Sequence, residues 1–419
     1  MFANRPLLLA LSSTLLIACQ QPAQARQSTP DVQAKKLELI VSSAIDDPEP
    51  GDPTKREVPL PSASEGWNAS LVMDNGGTGI WTVKSYDVFP QYASPELVGL
   101  DDRGVCHVIV SYSGKWTPLG RVNDGKWLGG LTHGDIDPRI SGSELYTGGA
   151  QGNLYQVVPY AHGALDNRLI AHFPGKELHT ILSGDLDPRV EGAELLVFTR
   201  PGGLYRVTPT GEHGTFESTL LEVLPGRVRD ALLLPARAGH AREIAMVSRA
   251  GWFKILTITS EGLEWKTVHQ EDMGMGRLAM RGGEGGEALV LYAGLDDGRI
   301  LRHERAAGET WKTETIFAGP QGLRGIAVGQ FDPDPAVESV AVFGYSGKVQ
   351  MLTRSSTGWE VETIFVDIDR GHWLGAAELD GRNGTREIIG SGYGGRIFLL
   401  SRPPGHGLGG VAVDPAGDR

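Results

Sequence analysis

Apolar and polar side chains alternate along most of the chain, and turn residues interrupt the alternation at short intervals. Between residues 178 and 224 this pattern predicts four β-strands, at 178–186, 194–199, 204–208 and 217–224. The segment DPRVEGA separates the first two strands, and PGG separates the second from the third. The sequence lacks long stretches with the period of an amphipathic helix, so the pattern predicts an all-β protein.

The same pattern recurs about every 50 residues along the chain. HGDIDPRISGSELYTGGAQGNLYQV (133–157) matches SGDLDPRVEGAELLVFTRPGGLYRV (183–207), and weaker copies begin at residues 98, 233, 280, 328 and 376. One Glu marks the second strand in six of the copies: Glu144, Glu194, Glu243, Glu287, Glu338 and Glu387. Seven copies of four strands predict a seven-bladed β-propeller, in which radial repetition protects the edges of the sheets.

The last copy ends after its third strand, 397–401, and a Gly- and Pro-rich tail follows. The early segment IWTVKSYDVF (80–89) resembles GWEVETIF (358–365), the fourth strand of the preceding blade. We expect the N-terminal segment to supply the missing strand and to close the ring. The first copy is short, which predicts a reduced outer strand in blade one and leaves six or eight blades as alternatives.

The copies resemble the FG-GAP and VCBS propeller repeats, in which an acidic turn of DxDxDG character joins the first two strands of a blade. The resemblance covers residues 94–402 and implies a propeller scaffold. Such propellers include adhesion modules, binding scaffolds without cofactors, and polysaccharide lyases. The resemblance therefore implies a fold, whereas function has to be argued from the residues of a site.

The acidic turns are the candidate metal sites, because calcium requires several oxygen ligands around one point. Arg139 and Arg189 stand where the family has a third Asp, and a guanidinium there would compete with a cation. We interpret these turns as structural, with calcium binding as the alternative, and expect no other cofactor. The calcium candidates are Asp135, Asp137, Glu144, Asp185, Asp187 and Glu194.

Residues at equivalent positions of successive blades form rings around the propeller axis. The start of the innermost strand carries His179, Arg229, Arg277, Arg324 and His372. Blade two has Gly129 there, just after Lys126 and Trp127, and Glu96 of the first copy interrupts the series. The turn between the second and third strands carries Tyr112, Arg200, Arg249, Tyr345 and Tyr393, with Ala150 and Asp296 as exceptions. Both positions open on one face of a blade, so these ten residues predict a mouth that attracts an anionic ligand. Arg suits carboxylate or sulfate, and Tyr offers flat contact area to sugars.

The N-terminus carries the pattern of an export signal. Residues 1–18 contain Arg5 followed by an apolar run too short to span a bilayer, which predicts a signal peptide. The segment LIAC (16–19) resembles the lipobox of bacterial lipoproteins, which implies that Cys19 is lipidated, and Gln20 implies the outer membrane of the cell envelope. We expect a flexible tether over 19–66, the propeller over 67–402 and a tail over 403–419.

Net charge narrows the classes of binding partner, and the number of cysteines decides whether a disulfide can form. The 419-residue chain has 51 Asp and Glu against 39 Lys and Arg, a net charge of −12, which argues against nucleic acid as a partner. If Cys19 is lipidated, Cys106 is the remaining thiol and no disulfide forms. Cys106 lies in the strand-like run VCHVIVSY, so we interpret it as a buried, inert thiol.

Two functions from different classes fit these features. The first is a membrane-anchored, non-catalytic binding or assembly module for an acidic glycan or a protein of the envelope. The alternative is a polysaccharide lyase, in which Arg neutralises a uronate carboxylate and His or Tyr removes the neighbouring proton. Its catalytic candidates are His179, His372, Tyr393 and Arg200. Because no local motif marks a general base, the sequence favours the binding module.

Overall fold

The alternating pattern forms a ring of antiparallel strands in a computed structural model of the chain. The structure describes residues 59–403, except 93, 113, 161–162, 212–213, 238, 284–287, 306–309, 380 and 382–383. The predicted signal peptide, Cys19, and most of the predicted tether and tail therefore lie outside the described residues.

Within the described part of the chain, 28 strands form seven four-stranded sheets, which are the blades of the ring. Strand β1 (Asn68–Asp74) precedes blade one and belongs to blade seven. Blade one contains β2 (Ile80–Tyr86), β3 (Glu96–Asp101), β4 (Cys106–Tyr112) and β5 (Lys115–Arg121). Blade two contains β6 (Leu128–Gly134), β7 (Glu144–Gly149), β8 (Asn153–Pro159) and β9 (Leu165–His172). Blade three contains β10 (Glu177–Gly184), β11 (Glu194–Arg200), β12 (Gly203–Pro209) and β13 (Phe216–Glu222).

The remaining four blades repeat this order of strands. Blade four contains β14 (Val228–Leu233), β15 (Glu243–Ser248), β16 (Trp252–Thr259) and β17 (Gly262–Gln270). Blade five contains β18 (Met275–Arg281), β19 (Leu289–Leu295), β20 (Arg299–Arg305) and β21 (Trp311–Ala318). Blade six contains β22 (Leu323–Val328), β23 (Ser339–Gly344), β24 (Lys348–Ser355) and β25 (Gly358–Val366). Blade seven contains β26 (Gly371–Ala377), β27 (Glu387–Gly392), β28 (Arg396–Ser401) and β1.

An N-terminal strand closes the ring, as the sequence predicts. β1 pairs antiparallel with β28, from Asn68 opposite Ser401 to Asp74 opposite Arg396. The prediction of a seven-bladed β-propeller closed in this way is confirmed, but the choice of segment 80–89 is wrong. Residues 80–86 form the innermost strand of blade one, where Ile80 is buried against neighbouring blades. Both strands alternate with period two, so their likeness in sequence could not separate an inner strand from an outer one.

Blade one has four full strands, so the expected reduction of its outer strand is also wrong. Its outer strand β5 has seven residues. The repeat that begins at residue 98 predicts residues 98–101 as the first strand of this blade, whereas the structure places them in the second strand. Every later element of blade one therefore moves by one strand, which changes the position of one predicted site residue.

Packing against the ring begins before residue 67, the predicted start of the propeller. Leu60 and Ala63 pack against a core cluster of blades six and seven. The Ser64 amide donates to the carbonyl oxygen of Ile364 at 2.9 Å. Trp67 is 5% exposed, and the Arg402 guanidinium lies 4.3 Å from the centre of its ring. The two ends of the described chain therefore hold the closing blade together.

The core lies between the faces of adjacent blades. Leu196 and Phe198 of blade three, for example, pack with Ile244 and Met246 of blade four. Cys106 is buried in such a cluster, and burial together with the charge of Asp101 raises the pKa of its thiol to about 12. An inert thiol follows from that environment.

All seven innermost strands carry a β-bulge near their first residue, which in five of the strands redirects one side chain. The bulged residues are Trp81, Gly129, His179, Arg229, Gly276, Arg324 and His372. Each innermost strand begins on the face that also carries the turn between the second and third strands, because the strands alternate in direction. This face holds the predicted mouth.

Candidate functional site

Three positions in each blade build the mouth. They are the bulged residue, the residue two places before it, and the residue two places before the glycine of the turn between the second and third strands. The mouth has six arginines, Arg200, Arg227, Arg229, Arg249, Arg324 and Arg370, and three carboxylates, Asp102, Glu177 and Asp296. Its rings are those of Trp81, Trp127, His179, Tyr345, His372 and Tyr393. Cations therefore exceed carboxylates there, although the whole chain carries a net charge of −12.

Asp296 is the shared carboxylate partner of two of these arginines. Its Oδ1 accepts from Arg229 Nη1 at 2.6 Å and from Arg324 Nη1 at 2.7 Å. Asp296 is 8% exposed, and its burial opposes ionisation, but the two arginines outweigh burial and lower the pKa of the carboxyl. Asp296 looked like an exception in the sequence series, and it is the residue that ties blades four, five and six together at the mouth.

Arg227 has a neutral partner instead of a carboxylate. Its Nη2 donates to His179 Nδ1 at 2.8 Å, and its Nε is buried without a hydrogen-bond partner. His179 Nε2 lies 3.1 Å from Glu177 Oε2, so this bonding pattern assigns the proton of the ring to Nε2. Burial and the neighbouring Arg227 lower the pKa of His179 to about 3, so the imidazole is uncharged at neutral pH.

Positive charge concentrates around Arg227. Burial, followed by the charges of Arg229, Arg200, Arg277 and Arg249, lowers the pKa of its guanidinium to about 9. Arg200 Nη1 lies 3.3 Å from Glu177 Oε2, but its side chain is 56% exposed. This region is therefore a partly desolvated cluster of like charges.

Aromatic rings form a continuous arc around the other side of the mouth. Trp127 lies 4.8 Å from His179 and stacks on Trp81 at 5.4 Å, measured between ring centres. Trp81 meets His372 edge to face at 4.5 Å. The arc continues from His372 to Tyr393 at 5.0 Å and from Tyr393 to Tyr345 at 5.8 Å.

Polar atoms of this arc bond mainly to one another and to the backbone. Trp81 Nε1 donates to Asp102 Oδ1, and His372 Nδ1 donates to the carbonyl oxygen of Trp81 at 2.9 Å. The hydroxyls of Tyr345 and Tyr393 are 3.2 Å apart. Burial, together with nearby arginines, lowers the pKa of His372 well below its usual value. The rings of the arc are therefore uncharged, while the carboxylate of Asp102 and the guanidinium of Arg370 lie beside them.

Arg277 lies beneath the mouth, one residue after the bulge of its strand. It donates from Nε to the carbonyl oxygen of Arg324 at 2.9 Å and from Nη1 to that of Arg229 at 3.3 Å. Its guanidinium also lies 4.5 Å from the centre of a Trp373 ring. Burial lowers the pKa of Arg277 to about 10, although the charge of Asp230 opposes this shift. These contacts make Arg277 a brace between blades.

The structure brings eight of the ten predicted ligand-binding residues to the mouth: His179, Arg200, Arg229, Arg249, Arg324, Tyr345, His372 and Tyr393. Tyr112 is on the opposite face, in the turn between β4 and β5, where it is 69% exposed. Its predicted position in the mouth is wrong because of the one-strand error in blade one.

The site residues predicted from the sequence do not include Trp81, Trp127 or Arg227. Aligning Glu96 with Glu144 and its equivalents would have placed Trp81 at the bulge of blade one. Trp127 and Arg227 share a position two residues before the bulge, where the residue type differs from blade to blade. The partner of Arg227, His179, is 48 residues away in sequence, so only the fold shows their contact.

The acidic turns lie on the face opposite the mouth, and their buried carboxylates bind protein groups. Asp137 accepts from Arg139 Nη2 at 2.9 Å, and Asp187 accepts from Arg189 Nη2 at 2.7 Å and from Arg206 Nη1 at 2.7 Å.

The Glu of each turn binds backbone amides. Glu194 Oε1 accepts from the amides of Leu186 and Asp187, and Glu144 accepts equivalent amides. Asp135 and Asp185 are exposed at the surface. Among the described residues, no group of three or more His, Cys, Asp or Glu side chains could hold a metal ion.

Comparison with known proteins supports the fold but identifies no family. No family model and no curated protein matches the chain. The WD40 β-propeller domain of Doa1 is similar, with a TM-score of 0.54 and 14% identity over 82% of this chain and 100% of that domain. The chain is a seven-bladed β-propeller.

Other similar propellers include BBS1N in complex with ARL6DN, with a TM-score of 0.56 and 9% identity over 81% of this chain and 98% of that one. Another is YCF48 bound to D1 peptide, with a TM-score of 0.52 and 13% identity over 83% of this chain and 99% of that one. At these identities the likeness establishes only the fold. In the described part of this propeller, no helix has the length and apolar character needed to cross a membrane.

Proposed function

We propose that this propeller is a non-catalytic binding module, lipidated at Cys19 and held at the bacterial outer membrane, whose mouth binds an anionic partner. The partner is an acidic protein segment or an acidic glycan of the cell envelope. The lipobox-like segment LIAC supports the anchor, and the arginine-rich mouth of an acidic chain supports the anionic partner.

The environment of Arg227 carries the proposal. Its guanidinium faces a neutral imidazole, while four other arginines are close enough to lower its pKa. A ligand carboxylate or sulfate placed here would relieve the repulsion among these cations and would accept charge-assisted hydrogen bonds. The anionic ligand therefore complements an arrangement that the fold alone leaves poorly neutralised.

Two similar propellers support a protein partner. Their structures contain BBS1N with ARL6DN and YCF48 with D1 peptide, so both were solved with a protein or a peptide bound. A binding or scaffold role is in keeping with this fold, which supports many functions from one ring of blades.

Titration with acidic and neutral polymers tests the proposal. Polyglutamate and polygalacturonate should each bind to the purified propeller, and the affinity should fall as salt is added because exposed charges are screened. Dextran, which is neutral, is the matched control. Equal binding of dextran and the acidic polymers, or the absence of any binding, would contradict an anion-accepting mouth.

A lyase remains the second candidate because one histidine and one tyrosine meet in the mouth. The rings of His372 and Tyr393 are 5.0 Å apart, and Arg324 donates to the neighbouring Tyr345 hydroxyl at 3.2 Å. His179 fits the reaction less well, because Arg227 and Glu177 occupy both of its ring nitrogens. Ultraviolet absorbance from unsaturated uronates during the polygalacturonate titration would establish lyase activity and overturn the proposed non-catalytic function.

A further inference from the structure

We propose that the mouth selects a peptide segment in which an aromatic or large aliphatic side chain lies close to a carboxylate. This inference rests on the proposed anion-binding function and specifies the class of ligand. It follows from the division of the mouth into two arcs of different chemistry, which the described contacts establish.

The cationic arc and the aromatic arc lie mainly in different blades and overlap in blade six. The cationic arc contains Arg200 of blade three, Arg227, Arg229 and Arg249 near blade four, and Arg324 of blade six. The aromatic arc runs through blades six, seven, one and two, from Tyr345 to Trp127. The arcs meet at two places, at His179 and at Tyr345, where Arg324 and Arg370 lie 4.4 Å and 5.5 Å from the ring centre.

The aromatic arc suits an apolar side chain better than a sugar ring. The indole nitrogen of Trp81 already donates to Asp102, and Nδ1 of His372 already donates to a carbonyl oxygen. The hydroxyls of Tyr345 and Tyr393 face each other, and Arg324 donates to one of them. A sugar placed here would bury hydroxyls that find few partners, which costs free energy, whereas an aromatic side chain would leave no polar group unpaired.

The cationic arc suits a carboxylate at the junction of the two arcs. One imidazole, that of His179, separates the Trp127 indole from the Arg227 guanidinium, at 4.8 Å from the indole centre and 2.8 Å from Arg227 Nη2. In an extended peptide, side chains two residues apart point to the same side and are about 7 Å apart. An aromatic residue and a Glu in that spacing therefore reach the indole and the guanidinium together.

The carboxylate of such a segment has two sources, an acidic side chain or the C-terminus of the partner. Both offer the same planar group to Arg227, and Arg is well suited to hold it through paired hydrogen bonds. Peptides with free and amidated C-termini separate these sources without any change to the protein.

Calorimetric titration of the purified propeller with short synthetic peptides tests the proposal. A peptide with Phe and Glu two residues apart should bind about tenfold more tightly than the same peptide with Gly in place of Phe. In the peptide with an amidated C-terminus, replacing Glu by Lys should abolish binding. Trp127→Ala should remove the preference for Phe but retain the affinity for the Gly peptide, whereas Arg227→Met should weaken both peptides.

Folding and alternative ligands are controlled in the same titration. Trp127→Phe should keep the preference for Phe, and unchanged thermal unfolding of both Trp127 variants shows that the mouth remains folded. Equal affinity for the Phe and Gly peptides would overturn this inference but leave the anion-binding mouth intact. Tighter binding of trigalacturonate than of any peptide would show that the ligand is a glycan. Failure of every acidic ligand to bind to the parent protein would overturn both proposals.

Discussion

At the scale of single residues, buried carboxylates hold the turns opposite the mouth and link stability to pH. Glu194 is fully buried, and its Oε2 lacks a hydrogen-bond partner. Burial raises the pKa of Glu194 to about 7, although the amides of Leu186 and Asp187 oppose the shift. The folded state therefore holds this proton more tightly than the unfolded chain does. Its stabilising effect is complete below the ordinary pKa of Glu and is lost as pH rises to about 7.

Glu194→Gln should remove this pH dependence. The variant keeps an oxygen acceptor for the two amides but cannot ionise, so its stability should fall less between about pH 4.5 and 7 than that of the parent chain. The difference at pH 7.5 should be on the order of a few kcal/mol in favour of the variant. Denaturant unfolding at several pH values measures it, and Glu191→Gln at an exposed neighbouring position is the control. Parallel pH profiles for Glu194→Gln and its parent would contradict the account.

Arg277 and Arg200 are both arginines, but we expect them to contribute differently to the stability of the fold. Arg277→Met should destabilise the propeller by about 3–5 kcal/mol, because it leaves backbone carbonyls and the buried Asp230 without their cation. Arg200→Met, at an exposed side chain, should change stability by about 0.5 kcal/mol or less. Equal midpoints of thermal unfolding for the two variants would show that Arg277 is not a brace.

The site could be predicted from sequence only where one repeat position carries one chemistry. Arg229, Arg324 and His372 align in the repeats, and the structure places them at equivalent bulges. Pairing could not be predicted, because Asp296 binds arginines from two other blades and His179 binds one from the next. These contacts depend on the closure of the ring and leave no local pattern in the sequence.

At the scale of elements, strands follow from the alternation of side chains, but their radial order does not. In blade three the predicted strands 178–186, 194–199, 204–208 and 217–224 correspond to β10, β11, β12 and β13 within two residues at each end. The pattern of segment 80–89, in contrast, predicts an outer strand, whereas Ile80–Tyr86 forms the innermost strand of blade one. Period two shows that a strand has two different faces, whereas its neighbours decide how deeply it is buried.

Because β1 closes the ring, we expect a substitution of Trp67, the residue before this strand, to lower the stability of the propeller strongly. Trp67→Ala should destabilise the propeller by about 3–5 kcal/mol, because it removes a buried ring from the core of the closing blade and the surface on which Arg402 stacks. Leu71→Ala, on β1 but 45% exposed, is the matched control and should have little effect. Denaturant unfolding distinguishes the variants, and a similar small loss in both would show that the N-terminal segment contributes little to closure.

At the scale of the whole molecule, the net charge of the chain is negative, whereas the mouth on one face of the ring carries an excess of arginines over carboxylates. The proposed lipid anchor at Cys19 would hold this propeller at the envelope. Cys19→Ser should abolish incorporation of a labelled fatty acid and move the protein from the membrane fraction to the soluble fraction, because acyl chains supply the membrane affinity. Cys106→Ser, at the buried thiol, is the control and should keep the label. Labelling that survives in Cys19→Ser would contradict the proposed anchor.

Removal of charge from the mouth tests the central claim most directly. The measurement is the affinity of polyglutamate for Arg227→Met/Arg249→Met, compared with Lys312→Met, which removes an exposed charge from the outer strand of blade five. The mouth variant should lose affinity by about tenfold or more and show a weaker dependence on salt, with Lys312→Met close to the parent. Equal affinities for the two folded variants would show that the anion does not bind at the mouth.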